Sequence, residues 1–182
     1  MPSEVIRHST KIQDVFVADL ETAVDSRGQF TELFRQNWFD IKTPIQWNAV
    51  SSYAGTFRGF HVHKKHADYL TVLQGQVHFL LKDLRQSSST FEVEQEIVIT
   101  ADKVQGLYLP PGVAHAFYFP VAAMHVYAVT EYWDLADELG FHYQDACHAF
   151  QLDALDLNVS ERDRQLGSYQ ELLAQISSCT FI

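Results

Sequence analysis

Apolar residues recur at every second position through the middle of the chain, and that period constrains the fold before any motif does. Val77, Phe79 and Leu81 fall on one face of a strand, because side chains alternate sides along extended backbone. Phe91, Val93, Ile97 and Ile99 alternate with Glu92, Glu94, Glu96 and Val98, and Met124, Val126 and Ala128 with His125, Tyr127 and Val129. Val15 to Leu20 and Phe30 to Phe34 read as earlier strands, joined through the turn signal Asp25-Ser26-Arg27-Gly28. Many short strands with turn punctuation predict an all-β sandwich or barrel. The C-terminal segment changes period. Leu166, Tyr169, Leu172, Leu173 and Ile176 recur at helical spacing behind Ser160-Glu161-Arg162-Asp163, which has the spacing of a capping box. One helix over about 160–176 is expected, packed outside the β body, and a shorter one over Asn37 to Lys42.

With 182 residues, the chain has room for one domain with a sizeable core. It is read as a single unit, 1–182, with an N-terminal strand arm over about 1–35. A 47% hydrophobic and 20% charged composition argues against disorder. The net charge of −10, with no basic run, makes nucleic acid and anionic membranes poor partners. No apolar stretch approaches the roughly 18 residues of a membrane span, and Met1-Pro2-Ser3-Glu4 lacks a signal-peptide core. Cys147 and Cys179 offer neither a disulfide framework nor a CxxC pair. The expected location is the cytoplasm.

Nine histidines stand out, six of them between His61 and His125. His61 and His63 would share one face of a strand and point into one cavity, and Pro110-Pro111-Gly112-Val113-Ala114-His115 is a tight turn presenting an imidazole. The spacing Gly55, His61-Val62-His63, Asp68, Gly75 resembles the first cupin signature, with Asp where Glu is usual. Pro110-x-Gly112-x-x-His115 resembles part of the second, with Val104 and Phe119 in place of its glycine and asparagine. Three imidazoles and a carboxylate would suit a divalent first-row metal. The alternative is that some of these histidines fill polar niches in a barrel mouth.

A larger pattern runs from about residue 10 to 165. It comprises Asp25-Ser26-Arg27-Gly28-Gln29-Phe30-Thr31-Glu32, Gln46-Trp47-Asn48-Ala49-Val50-Ser51, Phe57-Arg58-Gly59-Phe60-His61, and Asp83-Leu84-Arg85 with Ser88-Ser89-Thr90-Phe91. Pro111-Gly112-Val113-Ala114-His115-Ala116-Phe117, Tyr127-Ala128-Val129-Thr130-Glu131-Tyr132 and Ser160-Glu161-Arg162-Asp163 complete it. In this order and spacing the set resembles the dTDP-4-dehydrorhamnose 3,5-epimerase family. The resemblance implies a cupin-like β jelly roll (a double-stranded β-helix) with a C-terminal helix, assembled as a homodimer. It also implies an isomerase that uses no metal and no cofactor. Its substrate would be a nucleotide sugar, a dTDP-4-keto-6-deoxyhexose of rhamnose-type deoxysugar biosynthesis, inverted at C3 and C5 on either side of the C4 ketone. Inversion needs a base on one face of the sugar and an acid on the other, with the enolate stabilised where its charge develops. The resemblance implies His61 as base, Asp163 as the carboxylate paired with it, and Tyr127 as acid. It places Arg58 and His115 near the sugar and oxyanion. Arg27, Phe30 and Glu32 would form a nucleotide-binding segment reaching in from the partner subunit. Gln46, Asn48 and Trp133 would be further substrate contacts.

Each role has a structural competitor. Asp163 could be only the far half of a helix cap, Tyr127 could be core, and Trp133 could simply pack. Asp83 and Arg85 read as a structural pair. Three positions depart from the family pattern: Asp68 where a lysine is usual, His63 where glutamine is usual, and Trp133 where a second tyrosine is common. An acid near a developing enolate reverses the local field unless Lys64, Lys65 or a protonated His63 or His66 compensates. A single-site epimerase, a dTDP-sugar 3,4-ketoisomerase, and a metal-binding or non-catalytic sugar-binding cupin remain as alternatives. For a diphosphate substrate the acidic surface must give way locally to a positive pocket, with Arg27, Arg58 and the histidines as its candidates. His8, His78, His125, His142 and His148 carry no assigned role.

Overall fold

A computed structural model describes residues 5–146, 149–152, 155–177 and 181. Cys147, His148 and Cys179 lie outside the described residues. The strands in chain order are β1 (Ile6–Ser9), β2 (Phe16–Asp19), β3 (Thr22–Asp25), β4 (Gly28–Thr31), β5 (Gln46–Ser52), β6 (Thr56–Val62), β7 (Asp68–Gln74) and β8 (Gln76–Asp83). They continue with β9 (Glu94–Thr100), β10 (Gln105–Leu109), β11 (Val113–Tyr118), β12 (Ala123–Val129), β13 (Leu139–Gly140) and β14 (Asn158–Val159). Two short helices follow, α1 (Glu161–Arg164) and α2 (Tyr169–Ile176).

One sheet runs β1-β2-β10-β7-β12-β5 and the other β13-β6-β11-β8-β9, with β14 pairing β6. The predicted alternation explains how they pack. Val77, Phe79 and Leu81 of β8 join Leu70, Val72 and Leu107 of the first sheet in a shared interior, all essentially without solvent exposure. The intervening Leu80 turns the other way, into an outer cluster with Phe60, Val62, Phe141, Leu172 and Ile176 that seats α2 on the back of the second sheet. A third cluster of Phe16, Phe39 and Tyr69 covers the back of the first sheet. Among the described residues no helix is long and apolar enough to cross a membrane.

Four local expectations change. The C-terminal helix is two helices, broken after Arg164, because the working capping box is Ser168–Glu171. Ser168 Oγ accepts from Glu171 N–H, and Glu171 accepts from Ser168 N–H at 2.7 Å. No helix forms over Asn37 to Lys42. So short a segment cannot offset helix nucleation, and Phe39 is instead drawn inward among Phe16, Phe34 and Tyr69. The strand at Phe30 ends at Thr31, since Phe34 turns onto Tyr69, whose hydroxyl donates to Leu33 O at 2.7 Å. The strand expected from Phe91 begins at Glu94, because Glu92 sits at φ 63 in a turn whose N–H donates to Asp83 O.

That turn rests on an ion pair. Asp83 is fully buried and accepts from Arg85 Nε at 2.8 Å and Nη2 at 2.9 Å, and from the hydroxyls of Ser88 and Thr90 at 2.7 Å each. Arg85 also donates to Gln13 O at 2.6 Å, tying the β8–β9 connection to the N-terminal strands. Arg85→Ala leaves the carboxylate buried without its cation. The expected loss is about 3–5 kcal/mol of unfolding free energy by urea titration, whereas a change within ~0.5 kcal/mol would show the pair to be dispensable.

Candidate functional site

The two sheets part at one end around a cavity of about 450 Å³. Strands β6 and β11 supply His61 and His115 to one wall, with His63 just beyond β6, while β7 and β12 supply Asp68, His125 and Tyr127 to the facing wall. Trp133, Glu138 and Asp163 complete the lining. His61 and His63 both line it, as their spacing on one strand predicts.

His61 Nε2 lies 2.8 Å from Asp163 Oδ1, although 102 residues separate them in sequence. Two local features make this possible. Ser160 Oγ accepts the Asp163 N–H at 3.1 Å and caps α1, but the Asp163 carboxylate does not fold back to close the box. It turns to His61 and to the Gly59 N–H, 3.3 Å from Oδ2. Gly59 stands at φ +116, where a Cβ would lie 2.7 Å from His115 O. Only glycine fits this close approach, beside the register shift between β6 and β11. Asp163 is therefore both cap and pocket carboxylate. Burial pushes its pKa up, but the His61 hydrogen bond and charge, with the Gly59 N–H, outweigh burial and hold it below the usual carboxylate range.

With Asp163 accepting from Nε2–H, the lone pair of a neutral His61 ring is on Nδ1. That atom lies 3.4 Å from Glu138 Oε1. Glu138 was not singled out from sequence, where it is one acid among several between Glu131 and Glu138. Its place comes from a turn over Leu135–Asp137, capped by the Asp134 side chain, which leads into β13 and its pairing of Gly140 with His61. Trp133 Nε1 donates to Glu138 Oε2 at 2.6 Å, so Trp133 both lines the cavity and fixes this carboxylate.

Deeper in, burial works against charge. His115 Nδ1 donates to Val113 O at 3.1 Å, which leaves Nε2 as its acceptor. Burial, with the nearby His61, pushes His115 down to about 3, and burial with the Arg58 charge pushes His125 down to about 4. Burial likewise holds His63 well below its ordinary value and lowers His66. It raises Asp68, as does the charge of Glu138. Burial raises Tyr127, as do the carboxyl groups of Asp68 and Glu138 when ionised, and the phenol keeps its proton. The compensating cation near Asp68 expected from sequence is thus not supplied by His63 or His66. Lys64 and Lys65 use their backbone N–H groups on Asp137, and neither lines the cavity. Arg58 is exposed at the rim, with Nε on Ser52 Oγ at 3.1 Å.

His63, His66 and Asp68 place one ligand atom each within 4.8 Å of one another. The His63 and His66 rings, however, are stacked at 3.9 Å with only 25° between their planes. An ion about 2.0–2.1 Å from a nitrogen of each must lie near both ring planes, which nearly parallel stacked rings do not allow. As placed, the trio does not fit a metal.

The remaining predicted residues lie outside the cavity lining. Gln46 and Asn48 stand on the inward row of β5 with Val50 and Ser52. Gln46 Nε2 donates to Asn48 Oδ1 at 3.1 Å, and its Oε1 accepts from Trp133 N–H at 2.9 Å. Arg27, Phe30 and Glu32 belong to or follow the separate β3–β4 hairpin. Arg27 pairs with Asp25, Glu32 with Arg35, and Phe30 is 67% exposed.

The family model for dTDP-4-dehydrorhamnose 3,5-epimerase matches residues 9–171. The chain is 28% identical over 174 residues to the dTDP-4-dehydrorhamnose 3,5-epimerase of Escherichia coli, covering 90% of this chain and 94% of that one. It is 31% identical over 132 residues to the Neisseria gonorrhoeae protein of the same name, covering 69% of this chain but 40% of that one. A crystal structure of the Bacillus anthracis dTDP-4-dehydrorhamnose 3,5-epimerase with TDP and PPi bound superposes with a TM-score of 0.80 at 26% identity, covering 90% of this chain and 99% of that one.

The buried imidazoles predict an acid sensitivity. His115 and His125 stay unprotonated in the folded chain down to about 3 and about 4, while the unfolded chain takes up both protons below about 6.5. Stability therefore falls as pH drops below that point, by about 1.4 kcal/mol per unit for each ring. These two rings contribute about 2–3 kcal/mol to the stability lost between pH 7 and pH 5.5, so by urea unfolding His125→Gln should lose about 1 kcal/mol less than wild type over that range. A flat profile would contradict the burial of these rings.

Proposed function

Because this chain belongs to the dTDP-4-dehydrorhamnose 3,5-epimerase family, we propose that it inverts a dTDP-4-keto-6-deoxyhexose at C3 and C5 through an enolate. The observation that carries this reading is an imidazole hydrogen-bonded to a carboxylate on one wall facing a phenol on the other, His61 with Asp163 on the β6 side and Tyr127 on β12. His61 Nδ1 takes the proton from the carbon beside the ketone, and the C–H electron pair becomes the enolate double bond as the carbonyl pair moves onto oxygen. Asp163 holds the tautomer and stabilises the imidazolium that forms. Tyr127 returns a proton to the opposite face, which converts deprotonation into inversion. Glu138 Oε1 lies 3.4 Å from Nδ1, so proton transfer to that nitrogen requires the carboxylate to move aside.

The nucleotide half of the site is assigned to a homodimer. The β3–β4 hairpin leaves Val24 75% and Phe30 67% exposed and, among the described residues, pairs with no other strand. An apolar side chain at such a tip, next to Arg27, suits a partner subunit's pocket, where Phe30 would lie against the base and Arg27 near the diphosphate. Gln46, Asn48, Arg58, His115 and Trp133 complete the substrate contacts, and a cytoplasmic location goes with this reading.

Two measurements test these assignments. Turnover of dTDP-4-keto-6-deoxyglucose in deuterated water should place deuterium at C3 and C5, and His61→Ala should slow incorporation about 10²–10⁴-fold without altering the circular dichroism spectrum. Label at one carbon alone would identify a single-site epimerase, and no label would refute the reaction. Phe30→Ala should raise KM on the order of tenfold with kcat nearly unchanged, as expected for lost uniform binding, while light scattering reports a dimer. A monomer with wild-type KM would remove the hairpin from the site.

A further inference from the structure

An enolate in this cavity needs a partner for its oxygen, and the inner end offers few. The guanidinium groups that reach the lining, Arg58 and Arg162, are both solvent-exposed, and no lysine lines it. His115 has spent its N–H on Val113 O and presents a lone pair. Asp68 is different. It is 5% exposed, lines the cavity, and starts β7 in register with Val129, two residues beyond the Leu70–Tyr127 pair. Residues two apart on a strand share a face, so Asp68 and Tyr127 emerge on the same wall. Among the described residues nothing donates a hydrogen bond to its carboxyl group, and His66 Nε2, on a lowered ring, is 4.0 Å from Oδ2. The other ionisable groups acting on it are Glu138 and the phenols of Tyr108 and Tyr127, none of them cationic. A buried carboxylate with no hydrogen bond and no cation is a costly state, and a carboxylic acid is the form such a place stabilises.

We propose that Asp68 is a further catalytic residue: a neutral carboxylic acid on the Tyr127 wall whose O–H donates a hydrogen bond to the ketone oxygen as the enolate forms. This deepens the epimerase reading and rests on it. As His61 removes the α-proton, negative charge accumulates on the carbonyl oxygen. The Asp68 O–H shortens its bond to that oxygen and keeps its proton, and the charge returns to carbon when Tyr127 protonates it. No net proton is lost from Asp68 in a cycle. The raised affinity of Asp68 for its proton agrees with this state. A permanent cation would bind the ketone whether or not the enolate had formed. A neutral donor in a buried position strengthens its bond as the charge appears, which favours the transition state over the bound substrate.

Two independent readouts test the assignment. Infrared difference spectra of wild type against Asp68→Asn, in deuterated buffer at neutral pH with and without dTDP, should contain a carboxylic-acid C=O band that the variant lacks. An ionised carboxylate pair in its place overturns the proposal. Deuterium incorporation should fall about 10²–10³-fold in Asp68→Ala, the cost of removing one oxyanion donor, with dTDP affinity kept. Asp68→Asn, whose carboxamide N–H can donate in the same place, should stay within about tenfold of wild type. Equal rates in Asp68→Ala and wild type, or an Asp68→Asn as slow as Asp68→Ala, overturn the Asp68 role while leaving the epimerase reading standing. If wild type incorporates no label, the epimerase reading itself fails and takes this role with it, whatever the infrared band.

Discussion

The hydrogen bond from His61 Nε2 to Asp163 is the contact on which the rest of this molecule depends. It spans 102 residues of chain, so it exists only after both sheets, the turn into β13 and the return along β14 are in place. Each neighbouring feature gives way to it. The cap of α1 is left half made, the β6–β11 pairing shifts register, and Gly59 occupies a backbone conformation that leaves no space for a Cβ. A carboxylate that could have closed its own helix terminus instead orients a ring on another strand. The four-residue α1 has little helix to stabilise, so the exchange costs little.

Burial then sets the charge state of everything behind that bond. The chain carries a net charge of −10, yet the inner end of its cavity holds imidazoles driven neutral and an acid driven toward its protonated form. Desolvation acts with opposite sign on acids and bases, so one physical cause works against both kinds of charge at that inner end. A diphosphate substrate calls for positive charge, and the cations that reach this cavity, Arg58 and Arg162, stand exposed at its rim.

Sequence periodicity was enough for the two-sheet body. Val77, Phe79 and Leu81 face the interior because period-two alternation has one physical solution in a half-buried strand, and the His61 and His63 spacing needed nothing more. The helix break was harder, since Ser160 and Ser168 present similar local signals and only the demand of His61 for Asp163 decides which serine heads a complete box. Phe39 and Phe34 followed long-range aromatic packing, which no local pattern encodes. Glu138 was invisible because its position depends on the pairing of Leu139 and Gly140 with β6. Asp68 could be recognised from spacing as out of place, but its environment exists only in three dimensions.

The groups assigned to the two faces of the sugar stand on different sheets, which the short connection over residues 63–67 joins beside the cavity. Their separation is held by the side chains stacked beneath, with Leu70 and Leu107 from one sheet meeting Phe79 and Leu81 from the other. The apolar interior is thus a calliper: its thickness sets the gap between proton donor and proton acceptor. A protein of this design can retune which ring pucker or substituent it accepts by changing a methylene in its core, leaving every polar residue of the site untouched.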